Sequence, residues 1–278
     1  MRPLAEAGRG SDTTSRDGGL LALLPGDPAG TERMRLLLGD PVAEASEDAL
    51  AIMVVRPDTD ISIGAPALAR RRHSGGGALA IIVGDAVSTA RIEARLLNGH
   101  HLEPSNIAHV PTLDGEGGQR ALDAVMRTLG DEAAAAARRY PGLRPAVGRK
   151  LVSRASRRAG LIGVLPLPGV DLPVLALIQV RLVSDLAAIH DRPAGPDRAV
   201  EAAAVVGAGF GWRALGRSAS GSVPGVGWAV RGTVAYGATW ALGEAALARS
   251  AAGHDLIEGA PIDKVRPMID RVFGRLSR

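Results

Sequence analysis

The stretch Gly160-Leu-Ile-Gly-Val-Leu-Pro-Leu-Pro-Gly-Val-Asp-Leu-Pro-Val-Leu-Ala-Leu-Ile-Gln179 contains the longest apolar run of the chain, interrupted by three prolines and an aspartate. A helix that spans a bilayer needs about 20 apolar residues. Each proline removes a backbone donor, and an aspartate at the centre of a membrane helix costs about 2.5–3.5 kcal/mol. The sequence therefore predicts an apolar loop that ends at Asp171 as an N-cap, followed by a helix with Pro173 in its first turn.

The composition excludes several classes of site. The chain has 278 residues, which is room for two modest domains, and no cysteine, which excludes disulfides and thiolate metal sites. The six histidines show no spacing typical of metal ligands. We therefore predict neither a metal site nor a cofactor.

Charge divides the chain into two halves. Residues 1–132 carry 13 basic and 19 acidic residues, a net charge of −6, whereas residues 133–278 carry 20 basic and 10 acidic residues, a net charge of +10. This asymmetry predicts two domains, 19–132 and 133–278, the second of which faces an anionic partner. Residues 1–18 are polar and lack the apolar core of a signal peptide, so we predict a disordered tail on a cytoplasmic protein.

The acidic half predicts an α/β fold. Four short aliphatic runs are typical of buried parallel strands: Leu20–Leu24, Ala49–Val55, Ala78–Val83 and Ile107–Val110. Segments compatible with helices follow them: Glu32–Leu38, Ile63–His73, Val87–Asn98 and Gly117–Leu129. The alternation predicts a parallel sheet with right-handed crossovers and a ligand beyond the carboxyl ends of its strands.

The turn Pro25–Arg33 follows the first predicted strand, where a phosphate-binding loop would lie. Such a loop needs G-x-x-x-x-G-K-[ST], whose amides and lysine hold the phosphates. Here Gly26 and Gly30 are one residue too close, Thr31 replaces the lysine, and Glu32 puts a negative charge at the hydroxyl position. A tight turn is favoured over a nucleotide site. If a nucleotide binds, the candidate residues are Gly26, Gly30, Thr31 and Asp85.

Three segments of the acidic half resemble a translation-factor-related (Era/Der-like) GTPase domain. They are Pro25–Asp40, Ala80–Ala86, in the place of the guanine-reading N-K-x-D, and Val110–Gly117, which is similar to V-S-A-x-x-G-x-G. The lysine and the N-K-x-D residues are missing. The short segment between Leu38 and Ala49 has no room for the magnesium-binding threonine and D-x-x-G. The resemblance implies a truncated GTPase-like fold that has lost catalysis.

In the basic half, Ala133–Arg158 carries eight basic residues and no acid. This strip is either a solvated helical face or a surface that binds anionic lipid or an acidic protein partner. Nucleic acid is not expected, because the strip contains only one aromatic residue, Tyr140, for base stacking. The candidate interaction residues are Arg149, Lys150, Arg154, Arg157 and Arg158. Asp171 and Gln179 join them, and Gln179 needs a hydrogen-bond partner if it is buried.

Small residues recur at every fourth position from Gly225 to Ala245, with Gly237 near the centre. Such a stripe lets another helix approach closely, in lipid or in water, so Gly225 and Gly237 are candidate contacts of a homo-oligomer. Five of the seven aromatic residues lie between Phe210 and Trp240, either as space-filling rings or as interfacial anchors. Asp263–Leu276 predicts a basic amphipathic helix that rests on a membrane or caps the bundle.

The motifs of the basic half also resemble a known family. These are Tyr140-Pro-Gly-Leu-Arg144, Pro166–Pro173 with Gln179, Gly209-Phe-Gly-Trp-Arg213, and Pro224–Gly232 with Tyr236-Gly-Ala-Thr239. Over Arg138–His254 they resemble domain of unknown function 697, a helical module that commonly follows GTPase domains. The resemblance implies association with a GTPase-like domain and with the membrane. It supplies no catalytic residues, because the family has no established activity.

Three hypotheses follow from these observations. The preferred one is a non-catalytic adaptor, a pseudo-GTPase-like domain joined to a helical domain that binds an anionic membrane surface or a protein partner. Its location would be the cytoplasm or the inner face of the plasma membrane. The second is a divergent GTP-binding hydrolase that uses Gly26–Thr31, and the third is a structural module that self-associates through the small-residue stripe.

Overall fold

The computed structural model describes residues 19–39, 45–164, 171–190 and 227–251. The predicted tail, the predicted terminal helix Asp263–Leu276, Gly225 and the motif Gly209–Arg213 lie outside these residues. The described residues form an α/β half followed by a helical half, which confirms the predicted fold class.

Strands and helices alternate along the α/β half, close to the predicted positions. Its elements are β1 (Gly19–Leu23), α1 (Pro28–Leu38), β2 (Ala45–Val55), α2 (Gly64–His73), β3 (Ala78–Val83), α3 (Ala86–Ala94), β4 (Ile107–Val110) and α4 (Gly115–Leu129). A π-helical turn, Arg95–Gly99, extends α3. The strands form one parallel sheet in the order β1-β2-β3-β4.

The two faces of the sheet are covered by different helices. Alternate side chains of β2 point to opposite faces: Ile52 and Val54 pack in the same cluster as α1, whereas Met53 and Val55 pack with α2. The chain steps from β1 to β2 and from β2 to β3 in the same direction, yet α1 and α2 lie on opposite faces. These two crossovers therefore have opposite hands. The expectation that all crossovers are right-handed is wrong for one of them, although about 98% of such units follow that rule.

The helical half begins with α5 (Ala133–Arg139) and continues with three longer helices: α6 (Arg144–Val164), α7 (Asp171–Ala188) and α8 (Gly227–Ala251). The helix predicted after the apolar loop is present and has Pro173 in its first turn. It starts at Asp171 itself, one residue earlier than the N-cap prediction, a difference within the usual uncertainty of helix boundaries.

Helices α6 and α8 pack against each other in antiparallel orientation. Gly148 lies against Leu247, Gly243 against Val152, and Gly160 against Tyr236. Glycines on both helices allow this close approach, because a Cβ at Gly243 would lie only 2.6 Å from Cγ2 of Val152. Leu182 and Leu186 of α7 complete the bundle and belong to the same core as α4 and the sheet.

The motif Tyr140–Arg144 joins the two halves. Tyr140 and Leu143 are fully buried, and Gly142 lies directly against the C-terminal turn of α1. A Cβ on Gly142 would come within 1.7 Å of the carbonyl oxygen of Leu37. Gly39 ends α1 in the left-handed conformation, with φ of 78°, and contacts Pro141 and Gly142. This contact places the helical half against the α/β half.

Candidate functional site

The carboxyl end of β1 leads into the loop Pro25–Arg33, whose sequence departs from that of a phosphate-binding loop. Asp27 is the N-cap of α1, and its Oδ2 accepts a hydrogen bond of 2.7 Å from the amide of Gly30. Arg56, which follows β2, places its Nε 3.1 Å from the same oxygen. A helix N-terminus attracts anions, and here the chain's own carboxylate occupies that position.

The backbone of this loop is also engaged within the chain. The amide of Asp27 donates to the carbonyl of Val54 at 2.8 Å, and the amide of Thr31 donates to the carbonyl of Asp27 at 2.8 Å. A Cβ at Gly26 would lie 2.2 Å from the carbonyl oxygen of Val54, and one at Gly64 would lie 1.9 Å from that of Pro25. Gly26 thus packs closely against β2, and Pro25 packs against Gly64 of α2, so the loop is closed.

The other side chains of the loop do not form a phosphate site. The Oγ1 of Thr31 is buried and has no hydrogen-bond partner, so the hydroxyl does not face an open loop. Glu32 pairs with Arg35 on the same helix. Among the described residues no group of three His, Asp or Glu side chains is placed to hold a metal ion.

Asp85 caps α3. Its Oδ1 accepts hydrogen bonds of 3.0 Å from the amides of Val87 and Ser88, and its Oδ2 accepts one of 2.7 Å from the Ser88 hydroxyl. A carboxylate that reads guanine must present its oxygens to the base, whereas both oxygens of Asp85 are used locally. The Ser88 hydroxyl and the two amides hold the pKa of Asp85 below its ordinary value of 3.8.

This capping role predicts a pH dependence of stability. Because the pKa of Asp85 is depressed in the folded chain, its contribution is present above the unfolded value of 3.8 and is lost as the pH falls through the folded value. Asp85→Ala is therefore expected to be less stable than the native chain at neutral pH, by an amount that shrinks at acidic pH. Urea unfolding across this range measures the difference. Asp58→Ala is the control. A difference in unfolding free energy between Asp85→Ala and the native chain that stays the same at every pH would contradict the capping role of Asp85.

The predicted basic strip lies on α6, where its members face different surroundings. Arg149 contacts α4, with its Nη2 3.6 Å from Oδ1 of Asp123 and 3.5 Å from Oε1 of Gln119. Lys150 is half-buried. Arg154, Arg157 and Arg158 are exposed and form no ion pair within the described part of the chain. Arg149 therefore helps to hold the two halves together, and the other three arginines remain available to a partner.

Gln179 is buried, as its position in the apolar stripe suggested. It is 2% exposed, and its Nε2 donates a 3.2 Å hydrogen bond to Oγ1 of Thr239 on α8. The antiparallel contacts of α6 and α8 put Ser156, which is also buried, level with Thr239. The Oε1 of Gln179 and the hydroxyl of Ser156 lack hydrogen-bond partners. The bundle thus contains a polar layer that is only partly satisfied.

Substitutions in this layer are expected to have opposite effects. Gln179→Leu removes the unpaired oxygen and leaves a threonine that can donate to its own helix, so the free energy of unfolding should stay equal or rise by about 1 kcal/mol. Thr239→Val leaves the whole amide of Gln179 unpaired and should cost about 1–3 kcal/mol. Urea unfolding of both variants is the measurement. Equal losses in the two would contradict this description.

The small-residue stripe is on the exposed face of α8. Thr233, Gly237, Ala241 and Ala245 are exposed, and nothing lies within 4 Å of the Cβ position of Gly237. The face that packs on the neighbouring helices contains different small residues, which are Gly232, Ala235, Thr239, Gly243 and Ala246. Self-association through the stripe stays a prediction, and the open space at Gly237 leaves room there for a second helix.

Sequence reasoning did not identify the packing role of Gly142 or the exposure of Leu161, and it left open whether Tyr236 and Trp240 are buried or exposed. The glycine belonged to the quoted motif Tyr140–Arg144, but the motif does not reveal which surface it contacts. Small residues on α8 occur on two faces, so their spacing could not select the packed one. Only the antiparallel contacts with α6 distinguish the two faces.

Residues 130–253 match the model of the family described as "Domain of unknown function (DUF697)". The match confirms the resemblance of the helical half. The DUF697 region includes the motif Tyr140–Arg144, α6, α7 and the described α8, and with them the polar layer and the exposed arginines.

The α/β half has no family match that supports its GTPase-like interpretation. No curated protein and no solved structure matches the chain. None of the described helices, including those of the DUF697 region, combines the length and hydropathy needed to cross a membrane.

Proposed function

We propose that this protein is a non-catalytic adaptor, in which a pseudo-GTPase-like α/β half supports a basic helical half. The helical half binds an anionic membrane surface or a protein partner. The proposed location is the cytoplasm, including the inner face of the plasma membrane.

The observation that carries the proposal is the carboxylate of Asp27 at the N-terminus of α1. A triphosphate needs cations and free amides. Here Asp27 takes the amide of Gly30 and pairs with Arg56, while the amides of Asp27 and Thr31 bond to backbone carbonyls. Nucleotide binding would require breaking these contacts and placing phosphates beside Asp27.

The sheet topology supports a truncated GTPase-like origin. The crossover from β1 through α1 to β2 has a different hand from the one through α2. The same connection is the one that is too short for the magnesium-binding threonine and D-x-x-G. Loss of intervening strands between α1 and β2 would leave a direct crossover that departs from the usual rule.

Nucleotide titration tests the proposal. Isothermal titration with GTP and with ATP, each with magnesium, is expected to give no saturable heat. A thermal-shift assay with the same nucleotides should show no change, whereas a ligand at about 100 times its Kd adds about 2.7 kcal/mol and would raise the melting temperature visibly. Saturable binding with turnover would establish the alternative, a divergent hydrolase that uses Gly26–Thr31, and would overturn the adaptor proposal.

A second candidate function is a structural module that forms homo-oligomers through α8. The observation in its favour is the exposed small-residue face around Gly237, where a second helix could approach closely. Analytical ultracentrifugation of the native chain and of Gly237→Leu distinguishes the candidates. Self-association that the leucine abolishes supports the module, and a native chain that stays monomeric contradicts it.

A further inference from the structure

An open apolar groove of about 620 Å³ lies between α6 and α8. Its walls include Leu161 and Val164 of α6, Gly232 and Tyr236 of α8, and the side chain of Arg157. At this end of the bundle Ala159, Leu175 and Ala235 form a small core that is separate from the core covering the sheet. The groove is therefore a feature of the helical half.

Large apolar side chains are exposed beside this groove. Leu161 is 69% exposed, Tyr236 is 41% exposed, and Trp240, one helical turn after Tyr236, is 49% exposed. Tyrosine and tryptophan combine an apolar ring with a polar tip, and they are enriched where apolar and aqueous regions meet. A single exposed leucine is unremarkable on a protein surface, but Leu161 and Tyr236 line the same groove, and Trp240 extends the apolar side of α8 by one turn beyond Tyr236.

The helices that form this surface are rich in positive charge, and Arg157 lines the groove itself. The three bundle helices contain nine basic residues and three acidic ones, Asp171, Asp185 and Glu244. No acid lies in α6 at all, and none in α8 before Glu244. Arg154, Arg157 and Arg158 are exposed on α6 without ion pairs to other described residues. Because no carboxylate of these segments neutralises them, the surface is suited to an anionic partner.

We propose that Arg154, Arg157, Leu161, Tyr236 and Trp240, here called the lipid face, bind the surface of an anionic phospholipid bilayer. The proposal rests on the adaptor function above and names its partner. Protein interfaces carry about one hydrogen bond per 100–200 Å², whereas the groove offers few directional polar groups. A bilayer instead accepts the rings and Leu161 among its acyl chains and pairs its headgroup phosphates with the arginines.

Vesicle co-sedimentation of the full chain tests the lipid face. The chain is expected to sediment with vesicles of mixed phosphatidylglycerol and phosphatidylcholine at low salt. It should bind much less at high salt, which screens the arginines, or when phosphatidylcholine is the only lipid. Arg157→Glu and Leu161→Ser are each expected to lower the partition coefficient by about tenfold, through lost attraction and lost apolar burial respectively.

Two variants elsewhere on the helical half serve as matched controls. Leu177→Ser changes a leucine of similar exposure, 67%, on α7. Arg139→Glu reverses an exposed charge on α5. Neither position belongs to the lipid face, so both controls should bind vesicles nearly as well as the native chain. Melting curves are expected to show that all four variants are folded, since each replaced side chain is exposed.

The lipid face is overturned if the native chain fails to bind anionic vesicles, or if its two variants bind no differently from the two controls. If the chain binds neither vesicles nor nucleotide, the lipid face is wrong. The adaptor proposal then remains, with a protein as the partner. Saturable nucleotide binding and turnover would instead overturn the adaptor proposal, whatever the vesicles show. The two failures are therefore distinguishable.

Discussion

Gly142→Ala is expected to lower the free energy of unfolding by at least about 3 kcal/mol, above the usual cost of overpacking. The added Cβ would lie 1.7 Å from the carbonyl oxygen of Leu37 and 3.1 Å from Cα of Leu38. Carbon and oxygen atoms normally stay about 3.3 Å or more apart. The obstructing atom belongs to the backbone of α1, so no change of side-chain rotamer relieves the contact.

Thermal unfolding followed by circular dichroism measures this effect. At roughly 2–4 °C per kcal/mol, the melting temperature should fall by more than about 6 °C. Gly237→Ala is the matched control, because it makes the same change in open space on α8. It should be neutral or stabilising by up to about 1 kcal/mol, owing to the better helix propensity of alanine. Equal melting of Gly142→Ala and the native chain would show that the two halves do not meet at this glycine.

Gly243→Leu is expected to separate α6 from α8, at a cost of about 3 kcal/mol or more. A Cβ at this position meets Cγ2 of Val152 at 2.6 Å and Cγ1 at 2.7 Å. Valine is β-branched and stiff about χ1, so it cannot turn away, and leucine adds three further carbons. The gain in helix propensity on replacing glycine, below about 1 kcal/mol, is too small to compensate.

Gly237→Leu is the control for this prediction, since it makes the same substitution six positions earlier on the exposed face of the same helix. Its free energy of unfolding should stay equal or rise slightly. Urea unfolding, analysed for both midpoint and slope, compares the two variants. If Gly237→Leu destabilises the chain as much as Gly243→Leu, the assignment of the buried face of α8 is wrong.

Most elements of the α/β half were predictable because their signals are local. The runs Ala78–Val83 and Ile107–Val110 coincide with β3 and β4, and α4 begins only two residues before its predicted start. Asp27 and Asp85 cap helices with hydrogen bonds to residues two or three positions away. Such spacings can be recognised in a sequence, because the donor and the acceptor are neighbours in the chain.

The candidate site was only partly predictable. The missing lysine and the presence of Glu32 argued against phosphate binding, yet Glu32 pairs with Arg35 and the carboxylate at the helix N-terminus is that of Asp27. Its partner Arg56 comes from another strand. One of the two crossovers through α1 and α2 has a hand other than predicted, because the rule states what most βαβ units do and the hand depends on which face of the sheet the helix covers.

The sequence by itself determined the order of strands and helices, the start of α7 near Asp171, the need of Gln179 for a partner and the basic character of the helical half. The tertiary structure alone decided that Thr239 is that partner, that Gly142 lies against Leu37, and that α8 buries Gly243 while exposing Gly237. The physical reason is that periodicity and capping act within a few residues. The choice between two similar helix faces instead depends on close contacts between segments far apart in the chain, where a single Cβ decides whether two backbones can meet.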